Sequence, residues 1–451
     1  LSFLLTLLTS ALSWLAILRC GGESITLFSL PGQLTLVLRL DGLGRFFTGL
    51  IAVLWPLTTL YAFSYMEREE RLPGFFGFFL TSFGTTLGVA MAGNLLTLYC
   101  FYELLTLSTI PLVLHPQTKA AQRAGKTYML CSLGGAALGF VVLVYLITRG
   151  ADGLFTFGGM SFRADDLMRW MYVAGFLGFG VKAAVFPMDF WLPKVSVAPT
   201  PVTALLHAVA VVKSGAFALV RLTWFVFGTE LLRGSAAQWI PMGLSAFTIV
   251  YGSSMALRET HFKRRLAWST VANLSYILLG IIMMTPEGLT AALLHLLFHA
   301  QTKIVAFFCA GSVLVNSRRE YLPELNGLGR RMPVTFGCFT VAALSLTGIP
   351  LFSGFVSKWY LLTAAVHEGS AASFWGAAAL LISALLTAMY MLGVSVRAFF
   401  PANGTVAEGE SREADWRMLV PMVLLSALIL YSGCCSGWMV HYLEQISAGL
   451  L

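Results

Sequence analysis

Four lysines stand where lysine is rarely tolerated. Lys182, Lys213, Lys303 and Lys358 are each flanked by long apolar sequence, and of the 21 carboxylates only Glu103, in LYCFYELLTLSTIP, lies well inside an apolar span, with Asp189 at a proline-marked helix break. An ionisable group at the centre of a bilayer costs at least about 2.5–3.5 kcal/mol on insertion scales, so five such groups need a hydrated interior or each other. Snorkelling, in which an ammonium reaches the headgroups along its stem, suits a lysine near a helix end. It does not suit Lys213 or Lys303, which fall about thirteen and about fifteen residues into their spans. Histidines extend the set: His207 and Lys213 share TPVTALLHAVAVVKSG, and His295, His299 and Lys303 recur at i, i+4 and i+8, on one face of a helix. Neutral imidazoles one turn apart can relay protons through intervening water, and an ammonium can be switched by moving a carboxylate toward or away from it. The competing readings are a static Glu–Lys pair that ties two helices together, hydrogen-bonded structural histidines, and a metal or haem site. For the last, no third hard ligand is spaced for zinc, and a haem clamp needs ligands from two helices.

The surrounding chain must hold these groups at depth. Its 451 residues are 57% hydrophobic and 11% charged, with mean hydropathy +0.79, far from the roughly 25% charge of a soluble domain. Apolar runs of about 20 residues recur from end to end, each able to cross a hydrocarbon core about 30 Å thick. The expectation is an all-α polytopic membrane protein with about thirteen transmembrane helices, near 1–18, 44–65, 73–93, 94–114, 126–148, 170–193, 200–226, 238–257, 266–284, 288–316, 332–366, 371–396 and 418–440. Ile25 to Leu40, alternating and carrying Pro31-Gly32, reads as an extramembrane hairpin. Pro187 and Pro350 interrupt two of the helices, and paired interruptions in two halves point to an ion site.

The formal charge of +8 could suit nucleic acid, but in a membrane chain it reads as juxtamembrane lysine and arginine. Loops after even-numbered helices carry seventeen basic residues against eight after odd-numbered ones. The even loops, including Lys263-Arg264-Arg265 and Arg330-Arg331, are therefore expected in the cytoplasm, with the first residue inside and the last outside. The opening apolar segment has no basic region before it and no small-residue cleavage site after it, so it reads as a retained helix. The seven cysteines show no CxxC spacing and read as small core residues.

At these same residues the chain resembles the antiporter-like membrane subunits of respiratory complex I, of membrane-bound hydrogenases including formate hydrogenlyase, and of multisubunit sodium/proton antiporters. The resemblance runs from about Asp41 to Arg397, through LYCFYELLTLSTIPLV, GFGVKAAVFPMDFWLPKVSVAPTPVTALLHAVAVVKSGAFALVR, FKRRLAWSTVANLSYILLGI, HAQTKIVAFFCAG and GIPLFSGFVSKWYLL. It implies Glu103 as the partner carboxylate and Lys182 as the switching lysine on the first broken helix. Lys213 with His207 would form the central relay, His299 and Lys303 the connection to the second half, and Lys358 the terminal site. It also implies two inverted five-helix repeats, about 73–226 and 238–396, between an N-terminal part (1–72) and a C-terminal loop and helix (397–451). The helix count falls one short of the family's, at the N-terminus.

The function so implied is proton translocation in a complex I-like NADH-quinone oxidoreductase or a membrane-bound hydrogenase, with other membrane subunits and a peripheral redox arm as partners. The large subunit of a cation/proton antiporter is the alternative, with sodium possible in place of the proton, and a self-contained solute carrier is a third reading. The setting would be the cell's inner membrane and its lipid, with no nucleic acid. No Gly-rich nucleotide loop, flavin site or cluster ligand is present, so no cofactor is expected in this chain.

Overall fold

The computed structural model describes residues 1–29, 34–67, 69, 71–151, 153–160, 165–401 and 412–451. The chain opens with α1 (Ser2–Arg19), followed by an antiparallel pair of strands, β1 (Ser24–Ser29) and β2 (Thr35–Arg39). These are the arms of the expected hairpin; its Pro31-Gly32 turn lies outside the described residues. Three apolar helices follow, α2 (Gly42–Tyr65), α3 (Leu72–Ala90) and α4 (Leu95–Leu114), then the long α5 (Lys119–Ile147). Most of their starts are set by side chains that accept the orphan amides of the first turn. Asp41 caps Gly44 N at 2.9 Å, Asn94 caps Thr97 N at 2.9 Å and Thr118 caps Ala121 N at 3.1 Å.

The first interrupted helix is α6 (Asp166–Gly180), which resumes only as the short α7 (Trp191–Lys194). Pro187 lies inside the gap rather than at its start: the helix has already ended at Gly180, after three glycines, Gly175, Gly178 and Gly180, that are poor helix formers. Those glycines let backbones touch, which is how helices associate when lipid is as apolar as the side chains. A Cβ on Gly135 of α5, for example, would stand 2.6 Å from Gly178 O.

The helix expected over 200–226 is not continuous. It divides into α8 (Thr200–Ala208) and α9 (Val211–Val220), then widens into a π-helical turn, Arg221–Phe227. No proline is involved at the division. Val209 N and Ala210 N both donate to Leu205 O, at 2.9 and 2.8 Å, so one residue is inserted into the ladder as a bulge of the kind that favours functional sites.

After the short α10 (Thr229–Leu232) come α11 (Ala236–Arg258), α12 (Phe262–Ile282) and the 32-residue α13 (Pro286–Ser317). The second interrupted helix follows as α14 (Pro333–Thr347) and α15 (Ser353–Glu368), with Pro350 between them and Gly348 at φ +93° ending the first half. Next are α16 (Ala371–Thr387), a second π-helical turn at Ala388–Leu392, and α17 (Gly393–Phe399). The final helix expected over 418–440 is also two: α18 (Trp416–Cys434) and α19 (Gly437–Ser447). Gly433 sits against the second break, where a Cβ would collide with Leu351 O, so α18 is drawn onto that break before it ends.

Among the described residues eleven helical stretches are long and apolar enough to span a membrane, with Thr200–Phe227 and Ala371–Phe399 each taken through its irregular turns. The two expected spans outside that number are the proline-marked ones, each present as two pieces too short to cross alone, so the count of thirteen is not reached. The molecule is a polytopic membrane protein whose layers differ sharply in exposure. The most apolar stretch of α1 is 17% buried, whereas that of α12 is 100% and that of α13 is 94% buried. The central helices therefore carry the polar groups, and the outer ones present leucine and phenylalanine to lipid.

The basic triplet Lys263-Arg264-Arg265 is not a free loop. It forms the first turn of α12, where Lys263 donates to Ala198 O (3.1 Å), and Arg265 donates to Leu257 O (3.1 Å), Glu259 O (2.9 Å) and Tyr390 O (2.9 Å). Two of the three cations thus satisfy carbonyls left open at helix ends and at the second π turn, and only Arg264 is exposed.

Candidate functional site

Lys182 lies two residues past the end of α6, in the first break, and is 1% exposed. Its Nζ donates to Tyr102 O and to Glu103 Oε1, the latter at 3.4 Å, and stands 3.3 Å from the centroid of the Tyr102 ring. Tyr102 holds the break from the other direction, donating its hydroxyl to Phe179 O at 2.6 Å. Trp191 closes the gap by donating Nε1 to Val181 O at 2.9 Å. The pair expected from sequence is therefore formed, with the ammonium sealed and the Glu103 side chain 20% exposed.

Lys213, on α9, meets His299 of α13: Nζ and Nδ1 are 2.5 Å apart. His207, one bulge earlier on the same run, makes no direct bond to Lys213 among the described residues: it lies against the Phe307 ring at 4.9 Å with neither ring nitrogen hydrogen-bonded. His295 stacks on His299, rings 5.8 Å apart and 16° from parallel. Its Nδ1 is 2.9 Å from Ser357 Oγ and its Nε2 is 3.3 Å from Asn273 Oδ1. Lys303 shares the helix but donates across it to Leu266 O at 3.0 Å, with no direct bond to either histidine among the described residues. Lys358, in the first turns of α15, donates to Leu346 O at 2.5 Å and to Thr347 O at 3.1 Å. These are the last carbonyls of α14, where a cation is favoured. All four lysine side chains are buried, and each ammonium meets a partner within the protein.

The set holds polar atoms that nothing in the protein satisfies. His207 Nδ1 and Nε2, His299 Nε2, Ser214 Oγ and Ser275 Oγ are all buried without a hydrogen-bond partner. Buried polar groups are ordinarily paired, with protein or with ordered water, so these atoms are open to a further hydrogen-bond partner.

Sequence reasoning missed an ion pair. Arg221, counted as a loop cation, is fully buried in the first π turn and grips Asp41 through two bonds of 2.6 and 2.7 Å. The rings of Phe225, Phe155 and Phe217 surround its guanidinium at 4.5, 4.9 and 5.1 Å. The available signal was RLTWFVF, an arginine with no polar neighbour except threonine. At Asp41 burial pushes the carboxyl up, but the Arg221 charge and its hydrogen bonds outweigh this and hold it below the usual range.

Residues 92–387 match the protein family described as NADH:quinone oxidoreductase/Mrp antiporter, transmembrane. Similar proteins include a probable K(+)/H(+) antiporter subunit from Rhizobium meliloti, 33% identical over 74% of this chain and 33% of that protein. The hydrogenase-4 component B of Escherichia coli is 29% identical over 95% of this chain and 67% of its own length. The chain thus spans a third of the first relative and two thirds of the second. Among solved structures, a chain of the membrane-bound sulfane sulfur reductase, an archaeal respiratory membrane complex, shares the fold over 100% of this chain and 91% of its own, with TM-score 0.87 at 23% identity.

Proposed function

Because the chain belongs to the NADH:quinone oxidoreductase/Mrp antiporter transmembrane family, we propose that it translocates protons as one membrane component of a redox-driven complex, of the NADH-quinone oxidoreductase or hydrogenase kind. The observation that carries this reading is the contact between Lys213 and His299, which sets an ammonium beside an imidazole in the middle of the bundle with its second nitrogen unpartnered. Glu103 is the partner carboxylate whose movement releases the Lys182 proton. Lys213 and His299 then carry it between halves, and His295, His207 and Lys303 line the same interior. Lys358, resting on the open carbonyls of α14, is the terminal site. Segments 73–226 and 238–396 act as two inverted half-channels. In support, the fourth helix of five is interrupted in each, and the fifth runs into a π turn in each. Other membrane subunits and a peripheral redox arm supply the driving force, and the basic loops face the cytoplasm.

A second reading is the large subunit of a cation/proton exchanger, with sodium in place of the proton at part of the route; the 33% identity to an antiporter component supports it. One experiment tests the first reading. In the assembled complex, Lys182→Ala and Glu103→Ala should abolish proton movement while partner chains still oxidise an artificial donor. Undiminished pumping by Lys182→Ala would overturn the proposal.

A further inference from the structure

The first break carries a second carboxylate that the Glu103–Lys182 pair does not use. From Met188 to Phe190 the chain turns Met188 and Phe190 outward and one acid inward: Asp189 is 2% exposed. Its Oδ2 is sealed from solvent and has no hydrogen-bond partner. No lysine, arginine or histidine among the described residues forms an ion pair with it. A polar oxygen left buried and unmatched is costly, and rotating this residue outward, as its neighbours are, would avoid the cost. An anchoring role would need a partner on another element, and among the described residues no cation pairs with Asp189 and its Oδ2 is unmatched. Tyr251 of α11 is within electrostatic reach of it; Lys194 of α7 is exposed and lies over the Phe190 ring at 4.9 Å, and Lys182 is seven residues earlier in the same break.

Its place along the route is also informative. The break begins at the depth of Lys182 and continues through α7 toward Ala198, whose carbonyl accepts from Lys263 in the basic turn that opens α12. Along the chain Asp189 lies between Lys182 and Ala198, the residue whose carbonyl meets the basic turn. We propose that Asp189 is the proton-loading group of the first half, taking a proton from the basic-turn side and handing it to Lys182. The step balances as a transfer from the carboxylic acid of Asp189 to the free amine of Lys182, giving carboxylate and ammonium, after which hydronium from the basic-turn side restores the acid. It rests on the proton-translocation reading, and a carboxyl free of any cation is suited to it because no ion pair must be broken at each turnover.

The test uses the assembled complex in sealed vesicles, with Asp189→Asn, Asp189→Glu and Lys182→Ala compared for initial rate of proton movement across neutral to alkaline pH. Asp189→Asn should slow the rate at least about a hundredfold, the scale of a lost proton-transfer group, and Asp189→Glu should restore most of it with a displaced pH profile. Asp189→Asn moving protons at the unaltered rate, while Lys182→Ala moves none, would overturn the role of Asp189 alone. Lys182→Ala moving protons normally would overturn the reading beneath it. A second measurement needs no variant: a lipid-soluble carbodiimide, which adds to protonated carboxyls in apolar surroundings, should modify Asp189 in the unaltered complex, less so as pH rises. Mass spectrometry finding no adduct at Asp189 in active, reagent-treated complex would count against the proposal.

Discussion

Single residues divide here into those that move and those that stay. Arg221 stays: a guanidinium with two short bonds to one carboxylate and three aromatic faces around it has no second arrangement to adopt. Removing one partner of a buried pair leaves an uncompensated charge, so Asp41→Asn should cost about 3–5 kcal/mol, seen as a lowered unfolding temperature in detergent. The pH dependence has a definite sign. Asp41 is held below its ordinary value in the fold, so its contribution is complete above about pH 4 and is lost as pH falls below that. Asp41→Asn should flatten the acid limb of the stability curve, and an unchanged limb would show that the pair contributes nothing. Lys182 is the contrasting case, with a 3.4 Å contact to a carboxylate that still has exposed surface. The buried lysines were legible because an ammonium in an apolar run is conspicuous. Arg221 was not, because it stands near the end of a span, where loop arginines are ordinary.

Elements position these residues through places where they fail to be regular. Prolines advertise two of the interruptions, and both are found, although the first helix stops at glycines before its proline is reached. The bulge at Val209–Ala210 has no such marker: VAVV is ordinary helix sequence, and the extra residue is set by packing of α9 onto the first break. Gly215 shows that packing, since a Cβ there would lie 2.6 Å from Ala183 N and 2.9 Å from the Lys182 carbonyl carbon. Gly354 does the same for the second break, where a Cβ would collide with Ser345 O. Both contacts are with backbone, which cannot swing aside. Gly354→Ala should therefore push α15 off α14 and draw Lys358 from the Leu346 and Thr347 carbonyls. Assembly or proton movement should fall at least about tenfold, a loss of roughly 1.4 kcal/mol in barrier terms. Gly337→Ala, at a glycine with open space around it, is the control and should behave normally.

At the scale of the whole molecule, the question is how one half learns what the other has done. The first half holds Glu103, Lys182, His207 and Lys213; the second holds His295, His299, Lys303 and Lys358. Direct hydrogen bonding between these two groups of named residues occurs at Lys213 and His299. Beyond it the imidazole of His295 stacks on His299 and bonds to Ser357, the residue beside Lys358. Ser357 and Lys358 are consecutive, so a change at the stacked histidines is one side chain away from Lys358, the terminal site of the proposed route. His299→Ala should therefore separate the halves: net proton movement falls about a hundredfold or more, and the unfolding temperature falls because buried Lys213 loses its partner, while the distant Asp41–Arg221 pair is undisturbed, because the lost contacts are not shared with it. His299→Gln restores a polar group of similar reach that cannot carry a proton through its ring, so it should recover stability without recovering rate. If His299→Gln pumps as well as the unaltered chain, protons pass between the halves by another route, and the junction at Lys213 is structural.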